Sequence, residues 1–293
     1  MKFSTHAIAY LDILGFSKFV EEAEKDNNKL ELLDKLFNEV IPRSISLGDR
    51  KGDDYKTRTR LKCLTFSDSF VVSAPVSDKS TYPALIAVSI KAIQIVHSLL
   101  DMGFLVRGAI AVGNAYRTAS NILGTGFQEA VEREKTTKHP QIVLTESAKE
   151  ALDKLIKKGW PRYAIYAKDE LGQVILNSIH PEKTYLPNKN GDVADYFKKY
   201  RQTILEKLSI DNLESRQKWI WFIGLFNANV KEMSSLIGYN AQALKIDEKL
   251  FALTLNYLNQ ELDPNWAEPF KAPGFRVKFN HPGRNTSAQG ENF

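Results

Sequence analysis

The chain has 293 residues, 43% hydrophobic and 26% charged, the composition of an ordinary globular protein long enough for one large domain or for a domain with a sizeable extension. A net charge of +5 is scattered and interleaved with acids, and helix-turn-helix, finger and stacking-aromatic patterns are missing, so no nucleic-acid partner is expected. No apolar run approaches the ~20 residues of a bilayer span and no leader pattern opens the chain, so a cytoplasmic protein without membrane attachment is expected; the single cysteine, Cys63, excludes an internal disulfide and a multi-cysteine zinc site.

Residues 7–14 read as a short buried strand ended by Gly15. A helical region follows from Ser17 to Val40, with Phe19, Val20, Ala23, Leu30, Leu33, Leu36, Phe37 and Val40 at helical spacing and Asp26-Asn27-Asn28 dividing it in two. Arg43 to Arg60 is polar and reads as a loop or hairpin tip. Leu61 to Ala74 holds two strands with Ser67-Asp68 at the turn between them. Ala84 to Met102 is so apolar that it reads as a buried helix, and His97 within it as a satisfied or exposed helix histidine rather than a catalytic one. Phe104 to Val112 is a strand ended by Gly113-Asn114, and its Gly108-Ala109 marks a close approach by another backbone or a ligand. A glycine turn at 122–126 opens a helix at 127–135, whose N-terminus could receive phosphate. Gln141 to Leu144 is a strand, and Thr145 caps a helix at 146–158.

Beyond Trp160, Tyr163 to Tyr166 and Gln173 to Ile179 read as strands of a small extra sheet, followed by a loop at 181–192 and helices at 193–208, 212–233 and 247–262. Residues 218–227 are apolar nearly all round, which buries them within the protomer or in a dimer interface. Lys271 to Phe293 reads as a flexible tail. The order predicts an α+β fold, a ferredoxin-like βααββαβ core whose antiparallel-rich sheet is covered by helices on one face. Residues 1–159 form that core, 160–270 a mostly helical C-terminal extension for packing or dimerisation, and 271–293 the tail.

The chemistry centres on Asp12 and Asp68, each a carboxylate inside an otherwise apolar, strand-like run. Buried carboxylates are rare unless paired, hydrogen-bonded or bound to a cation, so two of them on two strands suggest one shared cation site. Mg2+ or Mn2+ prefers such oxygen ligands and keeps one or two protein carboxylates plus substrate phosphates. The competing reading makes both of them structural carboxylates that accept backbone amides.

Four segments in order resemble class III nucleotidyl cyclases, over roughly residues 3–150. Asp12-Ile13-Leu14-Gly15-Phe16 is similar to that family's Asp-Ile-x-Gly-Phe signature, and Phe66-Ser67-Asp68 to its Ile-Gly-Asp hairpin. Arg107-Gly108-Ala109-Ile110-Ala111-Val112-Gly113 resembles its Arg-Ile-Gly-Ile-x-x-Gly strand, and Asn121-Ile122-Leu123-Gly124-Thr125-Gly126-Phe127-Gln128 its Asp-x-x-Gly-x-x-Val-Asn turn. The departures fall on the purine-reading set: Leu64 stands at the lysine position and Asn121 at the second base-reading position. Gln128 stands for the transition-state Asn and Glu132 for the transition-state Arg, with Arg133 adjacent. With the short 125–135 helix and the 218–227 stretch, the chain looks most like the bacterial pyrimidine cyclases of Pycsar antiphage defence.

That resemblance implies a uridylate cyclase converting UTP to cyclic UMP and pyrophosphate, with a cytidylate, adenylate or guanylate cyclase or an inactive nucleotide- or protein-binding module as alternatives. It implies two Mn2+ or Mg2+ ions held by Asp12, the Ile13 carbonyl and Asp68, with Gln128 and Arg133 serving the transition state. Substrate would be held by Leu14, Gly15, Phe16, Leu64, Arg107 and Asn121. It further implies a homodimer with composite sites and a separate effector protein that reads the cyclic nucleotide.

Overall fold

The computed structural model describes residues 2–46, 60–77, 83–160, 165–169, 171–188, 191–209, 212–236 and 241–247. The loop expected at 43–60 lies mostly outside the described residues, as do residues 248–262 of the last expected helix and the whole expected tail.

The first strand, β1 (Ser4–Ile13), ends at Gly15, whose φ of 75° suits the turn into α1 (Phe16–Ala23). The Asp26 carboxylate caps α2 (Asn27–Lys35) by accepting from the Asn28 N–H at 2.9 Å, which is why the helical region divides there. A π turn at Leu36–Val40 leads into α3 (Ile41–Ser46). Two carbonyls in the last turn of α3, those of Ser44 and Ile45, accept from the fully buried Lys91 ammonium at 3.1 Å each. Strands β2 (Lys62–Phe66) and β3 (Ser69–Pro75) form the expected hairpin, turning at Ser67-Asp68. They are followed by α4 (Ala84–Leu100), buried along its whole length.

Strand β4 (Val106–Arg117) runs past the expected stop at Gly113-Asn114 because it keeps pairing with β1 as far as Ala115 and then with β5 (Ile122–Leu123). After it come α5 (Thr125–Lys135), β6 (Ile142–Leu144), α6 (Glu146–Lys157), β7 (Tyr166–Lys168), β8 (Val174–Leu176), α7 (Val193–Leu208) and α8 (Leu213–Leu236).

The strand order is β2-β3-β1-β4-β6-β8-β7, with β5 paired to β4. Its first four members are antiparallel neighbours in the ferredoxin-like arrangement expected of βααββαβ. Among the described strands only β4 and β6 run parallel. Strands β7 and β8 do not make a separate small sheet: β8 pairs antiparallel with β6 and extends the main one. Three-residue strands carry little pattern of their own, and the open edge of β6 supplies their partner.

Along β1 the side chains alternate between two faces. Ala7, Ala9, Leu11 and Ile13 enter the main core, where α4 covers β1 and β3 and where the buried residues of α7 and α8 join them. The apolar stretch of α8 is buried within the chain, from Trp219 to Phe226, and Phe226 stacks on Phe197 of α7 at 5.6 Å. His97 of α4 is the satisfied core histidine expected, with Nδ1 2.8 Å from the Tyr200 hydroxyl and Nε2 3.1 Å from the His180 carbonyl. Burial holds it down at about 4.

The opposite face is not bare. Ile8, Val71, Ala115 and Ile122 form a smaller cluster with Tyr10, Leu64 and Phe127, and α5 crosses β4 and β1 on this side. The crossing depends on small residues: a Cβ on Gly126 would lie 2.8 Å from the Gly113 backbone, so helix and strand meet backbone to backbone. Helices therefore lie on both faces, where the sequence suggested one.

Candidate active site

The antiparallel register determines what surrounds Asp12. Asp12 is the Cα partner of Ser69 on β3 and of Arg107 on β4, so the three side chains form one row across the face that α5 crosses. Two residues back, Tyr10 points the same way. From above, Gly126, Ala130 and Glu134 form the buried stripe of α5, which brings Glu134 down onto the row.

The contacts follow from that placement. The Arg107 guanidinium pairs directly with Glu134 through Nε, and its Nη2 lies 3.4 Å from Asp12 Oδ2. The Ser69 hydroxyl donates to Asp12 Oδ1 at 3.4 Å and lies 3.0 Å from the Tyr10 hydroxyl. Asp68, on the hairpin turn, is tied to the end of β1 by its carbonyl, which accepts from the Ile13 N–H at 3.1 Å. Ser67 beside it takes a φ of 54°, unusual for a residue with a side chain.

Three carboxylates thus share one short stretch of surface with one guanidinium. Burial, then the charges of Glu134 and Asp68, outweigh Arg107 and push the Asp12 carboxyl from its ordinary 3.8 up to about 6. Burial and the nearby carboxylates also raise the Tyr10 phenol, against the hydrogen bond it shares with Ser69. Burial is the first cause of the rise at Asp12, and a divalent cation at the carboxylate would oppose it. Asp12, Asp68 and the Ile13 carbonyl form an all-oxygen donor set of the kind hard cations take, with remaining positions left to water and substrate. Among the described residues no group of three or more His, Cys, Asp or Glu is placed to hold a metal by itself. The oxygens present are of the type that Mg2+ or Mn2+ takes, with water able to complete the shell.

The other sequence-predicted residues are distributed as follows. Leu64 lies on the same face, in the smaller apolar cluster with Tyr10 and Phe127. Leu14 is committed by its backbone, its N–H donating to the Leu105 carbonyl at 2.9 Å, while Gly15 is exposed at the start of α1. Phe16 is buried in the main core, edge-on to Phe37 at 5.9 Å, and so is not turned toward the carboxylates. Asn121 is exposed at the β4–β5 hairpin tip, where its N–H donates to Thr118 Oγ1 at 2.9 Å. Gln128 and Glu132 are exposed on α5. Arg133 falls one position off the buried stripe, and its Nη2 donates to Gln173 Oε1 at 3.1 Å in a separate cleft of about 450 Å³ that Glu129, Glu132 and Lys149 also line. Within one chain, then, Asp12, Ile13, Asp68 and Arg107 come together, and Gln128, Arg133 and Asn121 do not join them.

Glu134, Ser69 and Tyr10 were not singled out from the sequence. Glu134 had a readable signal, an acid at the third place of a Gly126-Ala130-Glu134 stripe that is otherwise the small, buried side of a helix. Ser69 and Tyr10 become site residues only through strand register.

No protein-family model matches the chain, and no curated protein sequence matches it. Solved structures do. The monomeric guanylyl cyclase domain of the RhoGC fusion protein from the aquatic fungus Blastocladiella emersonii is 14% identical over 59% of this chain and 95% of that one, with a TM-score of 0.37. The guanylate cyclase domain of RhGC from Catenaria anguillulae in complex with GTP is 13% identical over 60% and 96%, with a TM-score of 0.32. A class III adenylyl cyclase-like ATP-binding protein from Pseudomonas aeruginosa is 12% identical over 51% and 34%, with a TM-score of 0.32. All three likenesses are remote.

Proposed function

We propose that the chain is a nucleotidyl cyclase that converts a pyrimidine nucleoside triphosphate, UTP before CTP, to the 3′,5′-cyclic monophosphate and pyrophosphate. The observation that carries this reading is the meeting of Asp12 and Asp68 at one end of the sheet, where the Asp68 carbonyl accepts from the Ile13 N–H beside Asp12 and where burial, then the charges of Glu134 and Asp68, push Asp12 up to about 6. The four motifs that resemble class III cyclases support it, because two of them supply exactly one carboxylate each to that meeting point. Asp12, Asp68 and the Ile13 carbonyl would hold Mn2+ or Mg2+. When bound, such ions would lower the pKa of the ribose 3′-hydroxyl and neutralise charge on the triphosphate.

The chain's own residues would position and orient. With the Leu14 N–H spent on Leu105, the amides of Gly15 to Ser17 at the start of α1 are the ones left to cradle phosphate oxygens. Arg107, already 3.4 Å from Asp12, would add positive charge beside the reacting groups. Leu64, Tyr10 and Phe127 offer an apolar surface on the same face with no lysine to read a purine. Gln128, Arg133 and Asn121, which are turned to other partners or to solvent within one chain, would serve the site of a second copy in a homodimer with composite sites. The product would act on a separate effector in antiphage defence.

A second reading, an inactive nucleotide-binding module, is favoured by one observation: Arg107 already places a cation against Asp12. Incubation of the purified chain with Mn2+ and each of ATP, GTP, CTP and UTP, with products identified by mass spectrometry, separates these readings. Cyclic UMP or cyclic CMP is expected; cyclic AMP or cyclic GMP would overturn the base assignment, and no product from any of the four would overturn the enzyme.

A further inference from the structure

Asp12 is an acceptor at both oxygens, and the hydroxyls on its Oδ1 side can be arranged in only one order. An ionised carboxylate has no proton to give, so the single Ser69 proton goes to Asp12 Oδ1, 3.4 Å away. The Ser69 oxygen is then left to accept, and the Tyr10 hydroxyl at 3.0 Å must donate to it. All three groups lie on the face crossed by α5: Ser69 is the register partner of Asp12, and Tyr10 sits two residues before it on the same strand. The ring of Tyr10 is fixed in turn, edge-on to Phe127 of α5 at 6.1 Å.

We infer that Tyr10 is a positioning residue of the cation site, acting through Ser69 to fix the plane of the Asp12 carboxylate so that its remaining lone pairs face the ion. This rests on the proposed cyclase reading and adds to it a residue that never touches metal or substrate. Groups that hydrogen-bond a ligating side chain commonly govern metal affinity by 10–100-fold, because they decide its orientation before the ion arrives. On the Oδ2 side Arg107 sets a second limit, itself held by Glu134. The carboxylate is therefore gripped from both ends, and Tyr10 is the end that can be removed by deleting one oxygen atom.

The test is Mn2+ binding to the full chain, without nucleotide, followed by the paramagnetic resonance of the free ion. Four proteins are compared: wild type, Tyr10→Phe, Ser69→Ala and the double variant, with thermal midpoints recorded to show that each is folded. Tyr10→Phe is expected to weaken Mn2+ binding about tenfold. The double variant is expected to bind no more weakly than Ser69→Ala alone, because Tyr10 acts only through Ser69. Wild-type affinity in Tyr10→Phe, or independent losses that multiply in the double variant, would overturn the inference and leave the cyclase reading standing. Absence of Mn2+ binding by the wild type would overturn the metal-dependent cyclase reading and the inference with it.

Discussion

Replacing Asp12 by Asn should abolish the proposed cyclisation and, in the absence of metal, make the protein more stable. Asp12 has only 18% of its side chain exposed, and burial together with Glu134 and Asp68 lifts its carboxyl from 3.8 to about 6. That rise is worth about 3 kcal/mol at ~1.4 kcal/mol per tenfold, and it counts against the folded state whenever the group is ionised in both states. Asn removes the charge at nearly constant volume but also gives up the attraction of Arg107, so a gain of about 1–3 kcal/mol is expected at pH 8. Because the folded value lies above the unfolded one, Asp12 contributes its full stability below pH 3.8 and loses it as pH rises through about 6. The advantage of the variant should therefore grow between pH 4 and pH 6, be complete above pH 6 and vanish below pH 4. Urea unfolding of both proteins at pH 8 and pH 4, with metal chelated, measures it. Mn2+ should then stabilise the wild type and not the variant, since only the native carboxylate binds the ion. A variant no more stable than wild type at pH 8 would refute the claim that these carboxylates crowd one another.

Arg107→Leu should cost about 3–5 kcal/mol in urea unfolding, because it strands the buried Glu134 carboxylate, and Glu134→Leu in the same chain should recover most of the loss. Gly126→Ala should cost about 1–3 kcal/mol in the same assay, since its Cβ would stand 2.8 Å from the Gly113 backbone and push α5 off the sheet. Burial lowers His97 to about 4 and His180 to about 3, so the unfolded chain takes up protons that the folded one refuses. Stability should thus be complete above pH 6.5 and fall as the pH drops below it, with His97 alone costing about 2 kcal/mol by pH 5. Unfolding followed from pH 7 to pH 5 in the Asp12→Asn background, which removes the opposite contribution of Asp12, should show this fall; a flat profile would mean that these imidazoles are not buried.

Much of this architecture is legible in the sequence for a definite reason. Asp12 and Asp68 each interrupt an apolar run, and burying a carboxylate is costly enough that the interruption itself signals a site. Periodicity gave α4, α7 and nearly all of α8, because an apolar face or an all-apolar stretch leaves few other folds. What stayed hidden depends on pairing. Nothing local in Val174-Ile175-Leu176 says that it will join the edge of β6, and nothing in Gly113 or Gly126 names the other as its contact. Phe16 has the sequence position of a site residue, yet it begins α1 on the side that the main core needs filled. Arg133 and Glu134 are adjacent in sequence, and the ~100° step of the helix sends one to Gln173 and the other to Arg107.

The register of β1 is what joins stability to chemistry here. Its neighbours on both sides set the row Ser69, Asp12, Arg107, and a slip of one residue would turn Asp12 into the main core and Leu11 out to face α5. That slip is blocked by Ala7, Ala9, Leu11 and Ile13, all fully or almost fully buried, so the apolar alternate residues hold the carboxylate in a position it would not adopt alone. The main core thus offsets the cost of a crowded anion on the opposite face. The same argument explains why Glu134 arrives with Arg107 rather than bare: an acid buried on the small-residue stripe of α5 needs a cation, and of the two neighbours of β1, β4 presents one beside Asp12 while β3 carries the hairpin of Asp68. Loosening the contact of Gly113 with Gly126 should therefore disturb the charge on Asp12 before it disturbs the sheet.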